Sequence, residues 1–339
     1  QRKAEHALLA ESLLDKINER ARKILKKRFG LSGKKKETLE KIGKDFGITR
    51  ERVRQIIADS FRRINKLRNE KEVSDFLKKV VFTLEKRDGI ISQEEALREL
   101  AGNDAGEMNA FSFLVRCFPE IETVERENFI RPSWALRSVS LENIRKIEEA
   151  ALSSLEKEQR PMTLGKLSGL IEKSLENRFK TEQISNWLKV LSRVMANSFG
   201  KWGIAKWSEI QPKNTRDKIY LVLKENKKPL HFREIAKKID LFELSKKKAH
   251  PQTVHNELIK DKRFVLIGRG IYAIAEWGYS KGTVRDVLES ILRERGTLER
   301  EAIFEEVFKQ RKVKKATVMI NLNNSEIFSK KGNSYSLRK

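Results

Sequence analysis

The sequence predicts a mainly α-helical chain with small β-wings, in which a helix-turn-helix domain precedes a tandem array of winged-helix domains. Two observations predict it. Through about the first 65 residues, apolar side chains recur at the helical period and are interrupted by a tight glycine turn. After residue 70 a unit of about 65–70 residues repeats loosely, each copy reading as three helices followed by a strand, a turn and a strand near an aromatic residue. A chain of 339 residues also exceeds one ordinary hydrophobic core. The expected divisions are 1–70, 71–139, 140–211, 212–279 and 280–339.

The first element is a helical stretch over 4–28, with Leu9, Leu13, Ile17, Ile24 and Leu25 on one face and Phe29-Gly30 at its end. Gly33-Lys34-Lys35-Lys36 makes a basic loop. Thr38 has the form of an N-cap, Leu39, Ile42 and Phe46 share a face, and Gly47 is a stop, so a helix of about two turns is expected. Gly43 costs that helix stability, which a close approach by a neighbouring helix would explain. Thr49 then caps a second helix whose buried stripe is Val53, Ile56, Ile57, Phe61 and Ile64.

The opposite face of that second helix carries Arg50, Glu51, Arg54 and Gln55 near its N-terminus, the part that enters a major groove in helix-turn-helix docking. Arginine can bond bidentately to guanine, glutamine to adenine, and a glutamate can accept from cytosine. Double-stranded DNA is therefore the expected partner, with these four residues touching bases. Lys34, Lys35, Lys36, Thr49, Arg52, Arg62 and Arg63 suit phosphates. The same charges are also what an ordinary solvated helix face carries.

Composition agrees with a polyanionic partner. Lys and Arg number 73 against 48 Asp and Glu, a formal charge of +25. The charge is uneven: +11 over residues 1–70 (21 basic, 10 acidic) but −3 over 71–139 (10 basic, 13 acidic). The net values are +3 over 140–211, +8 over 212–279 and +6 over 280–339. The segment 71–139 is thus the least suited to phosphates and is expected to space the others or bind protein. No run of about 18 apolar residues occurs, and Gln1-Arg2-Lys3-Ala4-Glu5 lacks a signal peptide's apolar stretch, so cytoplasmic, nucleoid-associated placement is expected rather than membrane or secretion.

The segments Ile24-Leu25-Lys26-Lys27-Arg28-Phe29-Gly30-Leu31, Thr38-Leu39-Glu40-Lys41-Ile42-Gly43 and Thr49-Arg50-Glu51-Arg52-Val53-Arg54-Gln55-Ile56 closely resemble region 4 of the sigma-70 family over about residues 18–68. That resemblance implies a −35 promoter reader that docks on the β flap of RNA polymerase, with Arg50, Glu51, Arg54 and Gln55 at the base-contacting positions. Ile57-Ala58-Asp59 departs from the family, which usually has Glu-Ala and a basic residue there. No aromatic-rich promoter-melting region is visible, so a regulator is expected rather than a complete sigma factor.

Among the repeats the third is clearest, with helices expected near 215–226, 231–240 and 251–260 and a hairpin at Phe264–Tyr272 whose tip is Gly268-Arg269-Gly270. With Pro229-Leu230-His231-Phe232-Arg233-Glu234-Ile235-Ala236 and Glu276-Trp277, residues 214–279 resemble the HARE-HTH family, a winged-helix family that includes the N-terminal domain of the RNA polymerase delta subunit. Lys246, Lys247, Lys248, Thr253, His255, Asn256 and Arg269 are the candidate secondary DNA contacts, although winged helices also dock on proteins. Trp187, Trp202 and Trp207 are expected to pack cores and domain junctions.

Nothing supports catalysis. Thr163-Leu164-Gly165-Lys166-Leu167-Ser168-Gly169 lacks the glycine spacing and Lys-Ser/Thr pair of a phosphate loop and reads as a helix start. The four histidines and one cysteine form no zinc pattern, and Cys117 sits in an apolar run as a structural thiol. Neither metal nor cofactor is expected. Two further readings stay open: a polymerase-associated scaffold whose winged helices bind protein, and a non-specific nucleoid protein.

Overall fold

The computed structural model describes residues 5–31, 35–125, 129–176, 178–279 and 282–338. They fall into two compact units, one of residues 1–195 with 202–205 and one of residues 196–201 with 206–339. The protein is mainly helical with small sheets. Among the described residues no helix is long and apolar enough to cross a membrane.

The first unit opens with α1 (Glu5–Asp15), α2 (Glu19–Phe29), α3 (Leu39–Phe46) and α4 (Arg50–Asn65). The helical period over 4–28 does not make one helix. Asn18 divides it, because its side chain accepts from the Ala21 amide at 2.8 Å and starts α2 afresh. Gly30, at φ 64°, ends α2 in the left-handed region.

One order of elements then occurs four times: helix, short strand, two helices, two strands. The first copy is α5 (Lys71–Glu85), β1 (Ile90–Ser92), α6 (Gln93–Ala96), α7 (Ala105–Arg116), β2 (Ile121–Val124) and β3 (Ser133–Leu136), with α6 prolonged by a π-helical turn, Leu97–Ala101. The second is α8 (Leu141–Glu158), β4 (Met162–Thr163), α9 (Leu164–Ser174), α10 (Thr181–Leu188), β5 (Val194–Ala196) and β6 (Lys201–Ile204). The third is α11 (Thr215–Asn226), β7 (Leu230–His231), α12 (Phe232–Leu241), α13 (Pro251–Lys260), β8 (Phe264–Gly268) and β9 (Ile271–Ile274). The fourth is α14 (Val284–Arg295), β10 (Leu298–Glu299), α15 (Arg300–Gln310), α16 (Lys315–Leu322), β11 (Phe328–Lys331) and β12 (Ser334–Leu337). In every copy the last strand lies between the other two, giving β1-β3-β2, β4-β6-β5, β7-β9-β8 and β10-β12-β11.

Alternation along the hairpins turns one aromatic of each repeat inward, so Trp134, Trp202, Tyr272 and Tyr335 are buried. The third repeat's helices stand within one residue of their expected places, and Pro251 opens α13. Of the two glycines flanking Arg269, only Gly270 needs its positive φ, 67°. Gly268 is kept small by a close approach instead: a Cβ there would stand 2.7 Å from the Lys312 carbonyl oxygen.

The core of α1–α4 continues past residue 70. α7 lies against α1 and α2. Phe113 of α7 meets Phe29 and Phe61 at centroid distances of 5.4 and 6.2 Å, and Asn109 donates to the Gly30 carbonyl at 3.1 Å. Buried Glu107 accepts from the amides of His6 and Ala7 at 3.0 and 2.9 Å, satisfying donors that the start of α1 would otherwise leave bare. The residues before and after position 70 therefore share one apolar core. Trp187, whose ring donates to the Asp88 carbonyl at 3.0 Å, ties the second repeat to the first. Cys117 is buried, and desolvation pushes its thiol well above the usual range, as a structural cysteine requires.

Candidate nucleic-acid interface

The interface begins with the turn between α3 and α4. Thr38 caps α3 by accepting from the Lys41 amide at 3.2 Å, and Thr49 caps α4 by accepting from the Arg52 amide at 3.1 Å. Gly47, at φ 62°, ends α3 and lets the chain reverse. Gly43 is explained by a close approach, though the neighbour is the turn rather than a helix: a Cβ would stand 2.6 Å from the Ile48 carbonyl oxygen. Gly43→Ala is accordingly expected to destabilise the domain. The gain in helix propensity, about 1 kcal/mol, is outweighed by an overpacking cost of about 1–3 kcal/mol against backbone that cannot swing aside. A thermal midpoint at or above the parent's would refute that account.

α3 is fastened from outside as well. Lys27 of α2 forms an ion pair with Asp45, which holds that carboxyl below its usual range, and Arg20 donates to the Phe46 carbonyl at 3.1 Å. Val53, Ile57 and Ile64 bury one side of α4, with Ile56 and Phe61 half-buried beside them. That anchorage leaves Arg50, Glu51, Arg52, Arg54, Gln55, Arg62 and Arg63 exposed on α4, with Thr49 at its mouth.

The exposed face is pre-paired. Glu51 takes Arg54 in a forked contact, with Nε at 2.9 Å from one oxygen and Nη2 at 2.6 Å from the other, and Arg52 donates to the Gln55 side chain at 3.2 Å. The Arg54 hydrogen bond lowers the Glu51 carboxyl below its ordinary range, so Glu51 is ionised at neutral pH. Such exposed pairs stabilise little and exchange readily for a base edge. Arg62 is held by Asp59, which ends the Ile57-Ala58-Asp59 stretch that departs from the sigma-70 region 4 pattern. Asp59→Asn should free Arg62 and remove one negative charge from α4. Duplex affinity at low salt is expected to rise about two- to fivefold, an advantage that shrinks as salt is added. An unchanged affinity in a salt titration would remove Arg62 from the phosphate set.

Lys34 lies outside the described residues. Lys35 and Lys36 are exposed, and Lys36 is held below the usual lysine range, first by partial desolvation and then by Arg116 and Arg28. Lys36, Arg28 and Arg116 thus lie within electrostatic reach of one another, with Arg116 also paired to Glu125. Arg116 was not legible as a candidate, since it belongs to a net-negative segment and reaches the loop only through tertiary packing.

In the second unit, Lys246, Lys247, Lys248, Thr253, Asn256 and Arg269 are exposed. Lys247, Lys248 and Thr253 line a cavity of 170 Å³ at the start of α13, and Arg269 stands at the β8–β9 tip. His255 is half-buried, stacked on Phe232 at 4.5 Å and edge-on to Tyr272 at 5.8 Å, so its ring serves packing. Among the described residues no group of three or more His, Cys, Asp and Glu could hold a metal ion.

Comparison with known proteins agrees with this geometry. Residues 13–66 match the family described as Sigma-70, region 4. The RNA polymerase sigma factor SigA of Bacillus sp is 45% identical over 67 residues, which is 20% of this chain and 18% of that protein. The sigma factors SigA of Listeria monocytogenes and Listeria innocua are each 42% identical over 67 residues, with the same shares. The chain thus spans under a fifth of the length of these curated relatives, and the match to each covers 67 of its residues.

Proposed function

We propose that this protein is a sequence-specific, double-stranded-DNA-binding transcription regulator. In this reading α4 recognises a promoter-type sequence through Arg50, Glu51, Arg54 and Gln55. The observation that carries it is the Thr49-capped α4, fastened on its apolar side and presenting those four side chains, within the stretch that matches Sigma-70 region 4. The relatives' description as RNA polymerase sigma factors supports the polymerase, through its β flap, as protein partner. The four repeats are winged-helix domains, a reading supported by their common element order and central last strand, and 214–279 is of the HARE-HTH kind. The protein acts by binding, without catalysis, in the cytoplasm on the nucleoid.

One observation favours a scaffolding role for the first repeat in particular. Its α7, the third helix and the one a winged helix would offer to a groove, is packed against α1 and α2. Selection of random duplexes by the full chain tests the main reading. An enriched motif is expected, and recovery of unrelated sequences with equal affinity would leave a non-specific DNA coat. Co-purification with RNA polymerase that survives nuclease treatment is the corresponding expectation for the protein partner.

A further inference from the structure

The segment between α15 and α16 is built onto the third repeat's hairpin. Arg311 is only 4% exposed, and its guanidinium donates to the carbonyls of Leu266 and, at 2.6 Å, Gly282. The Lys312 amide donates to the Ile267 carbonyl at 2.9 Å, and its own carbonyl is the atom that keeps Gly268 free of a Cβ. The hairpin has a second buried cluster of its own, Val265, Ile267 and Ala273, with Trp277 and Tyr279 packed against it. Burying a guanidinium is costly unless its donors are satisfied. Here the carbonyls of Leu266 and Gly282 accept from its two terminal nitrogens and tie the α15–α16 segment to the third repeat.

The consequence is electrostatic. The Lys312 backbone is held against Ile267 and Gly268, next to Arg269 in the chain, Lys314 and Lys315 follow it directly, and all four side chains are exposed. None is paired with a carboxylate among the described residues, whereas Arg54 and Arg62 of α4 are. Lys315 is steadied by the Phe304 ring, 5.5 Å from its ammonium. Tyr272 and Trp277, the rings that follow the tip, pack into the apolar clusters and so offer no stacking platform there of the kind that holds single strands. Fixed, uncompensated cations without such a platform suit the regularly spaced phosphates of a duplex.

We propose that the β8–β9 tip and the α15–α16 segment form one composite phosphate-binding surface that grips duplex DNA without regard to sequence. This rests on the reading of the protein as a duplex-DNA binder but not on sequence recognition by α4. The test measures binding of the full chain to a mixed-sequence duplex over a range of salt concentrations. Replacing Arg269, Lys312 and Lys314 together by Ala should flatten the slope of log affinity against log salt by about 2–3, since each phosphate contact contributes about 0.9. A control replacing the exposed Lys78, Lys157 and Lys173 should change it far less. Gly268→Ala, which removes no charge but displaces Lys312, should weaken binding in the same direction. An unchanged slope in the triple variant, an equal loss in the control, or a loss confined to a single-stranded oligonucleotide would each overturn the proposal. Motif preference should survive the triple variant, so failure here is distinguishable from failure of α4 as the base reader.

Discussion

Replacing Arg54 and Gln55 together by Ala is expected to erase most of the protein's preference for its target duplex while leaving its grip on unrelated duplexes nearly intact. The two side chains lie one residue apart on the exposed face of α4, close to its capped N-terminus. Each can make a bidentate contact, Arg54 to guanine and Gln55 to adenine, and each such contact discriminates about tenfold to a hundredfold between bases. The cations expected on phosphates, Lys35, Lys36, Arg52, Arg62 and Arg63, remain. The salt slope should therefore fall by only about 1, for the one charge removed. The measurement is the ratio of affinities for selected and scrambled duplexes in one buffer. A ratio that survives the double substitution would mean that specificity resides elsewhere. Glu51→Ala separates two further effects: it removes an acceptor for cytosine and releases Arg54 from its forked pair. Relaxed preference at a single base position is expected from it, rather than a general loss.

The helix-turn-helix was legible because its information is local. Two threonine caps, a left-handed glycine and an apolar stripe of period 3.6 fix α3 and α4 with little help from the rest of the chain. The third repeat was legible for similar reasons, since Pro251 marks a helix start and Gly270 a hairpin turn. The division at Asn18 was locally encoded too, but apolar periodicity runs through it and hides the cap.

What the sequence hid depends on long-range packing. Arg311 stands in Gln310-Arg311-Lys312, a run that reads as a solvated helix end, and only the carbonyls of Leu266 and Gly282, far away in sequence, make it a buried anchor. Gly268 looked like a turn glycine, yet its requirement is set by Lys312 in the next repeat. His255 looked presentable on α13 until Phe232 and Tyr272 were placed around it. The paired state of α4 lies between these cases. Glu51 and Arg54 are three apart, so their contact was available to inspection, but its forked geometry was not.

The shared core makes the largest stability prediction. Phe113 is fully buried and belongs by sequence to the first repeat, yet its ring lies against Phe29 of α2 and Phe61 of α4. Phe113→Ala removes those contacts and leaves a cavity that three helices must collapse to fill, at a cost of about 3–5 kcal/mol. For a unit of this size the transition should fall by on the order of 10 °C. The informative readout is where the loss is felt. Because Phe113 closes one apolar cluster on both sides of residue 70, hydrogen exchange should accelerate in α2 and α4 as well as in α7, and duplex binding should weaken although no DNA-facing residue has changed. Faster exchange confined to α5–α7, with α1–α4 protected as before, would show that the helix-turn-helix stands alone. The expected result assigns the first repeat a definite task. It keeps α2 and α4 in place, so the face proposed to read bases is held rigid by a repeat that need not touch DNA.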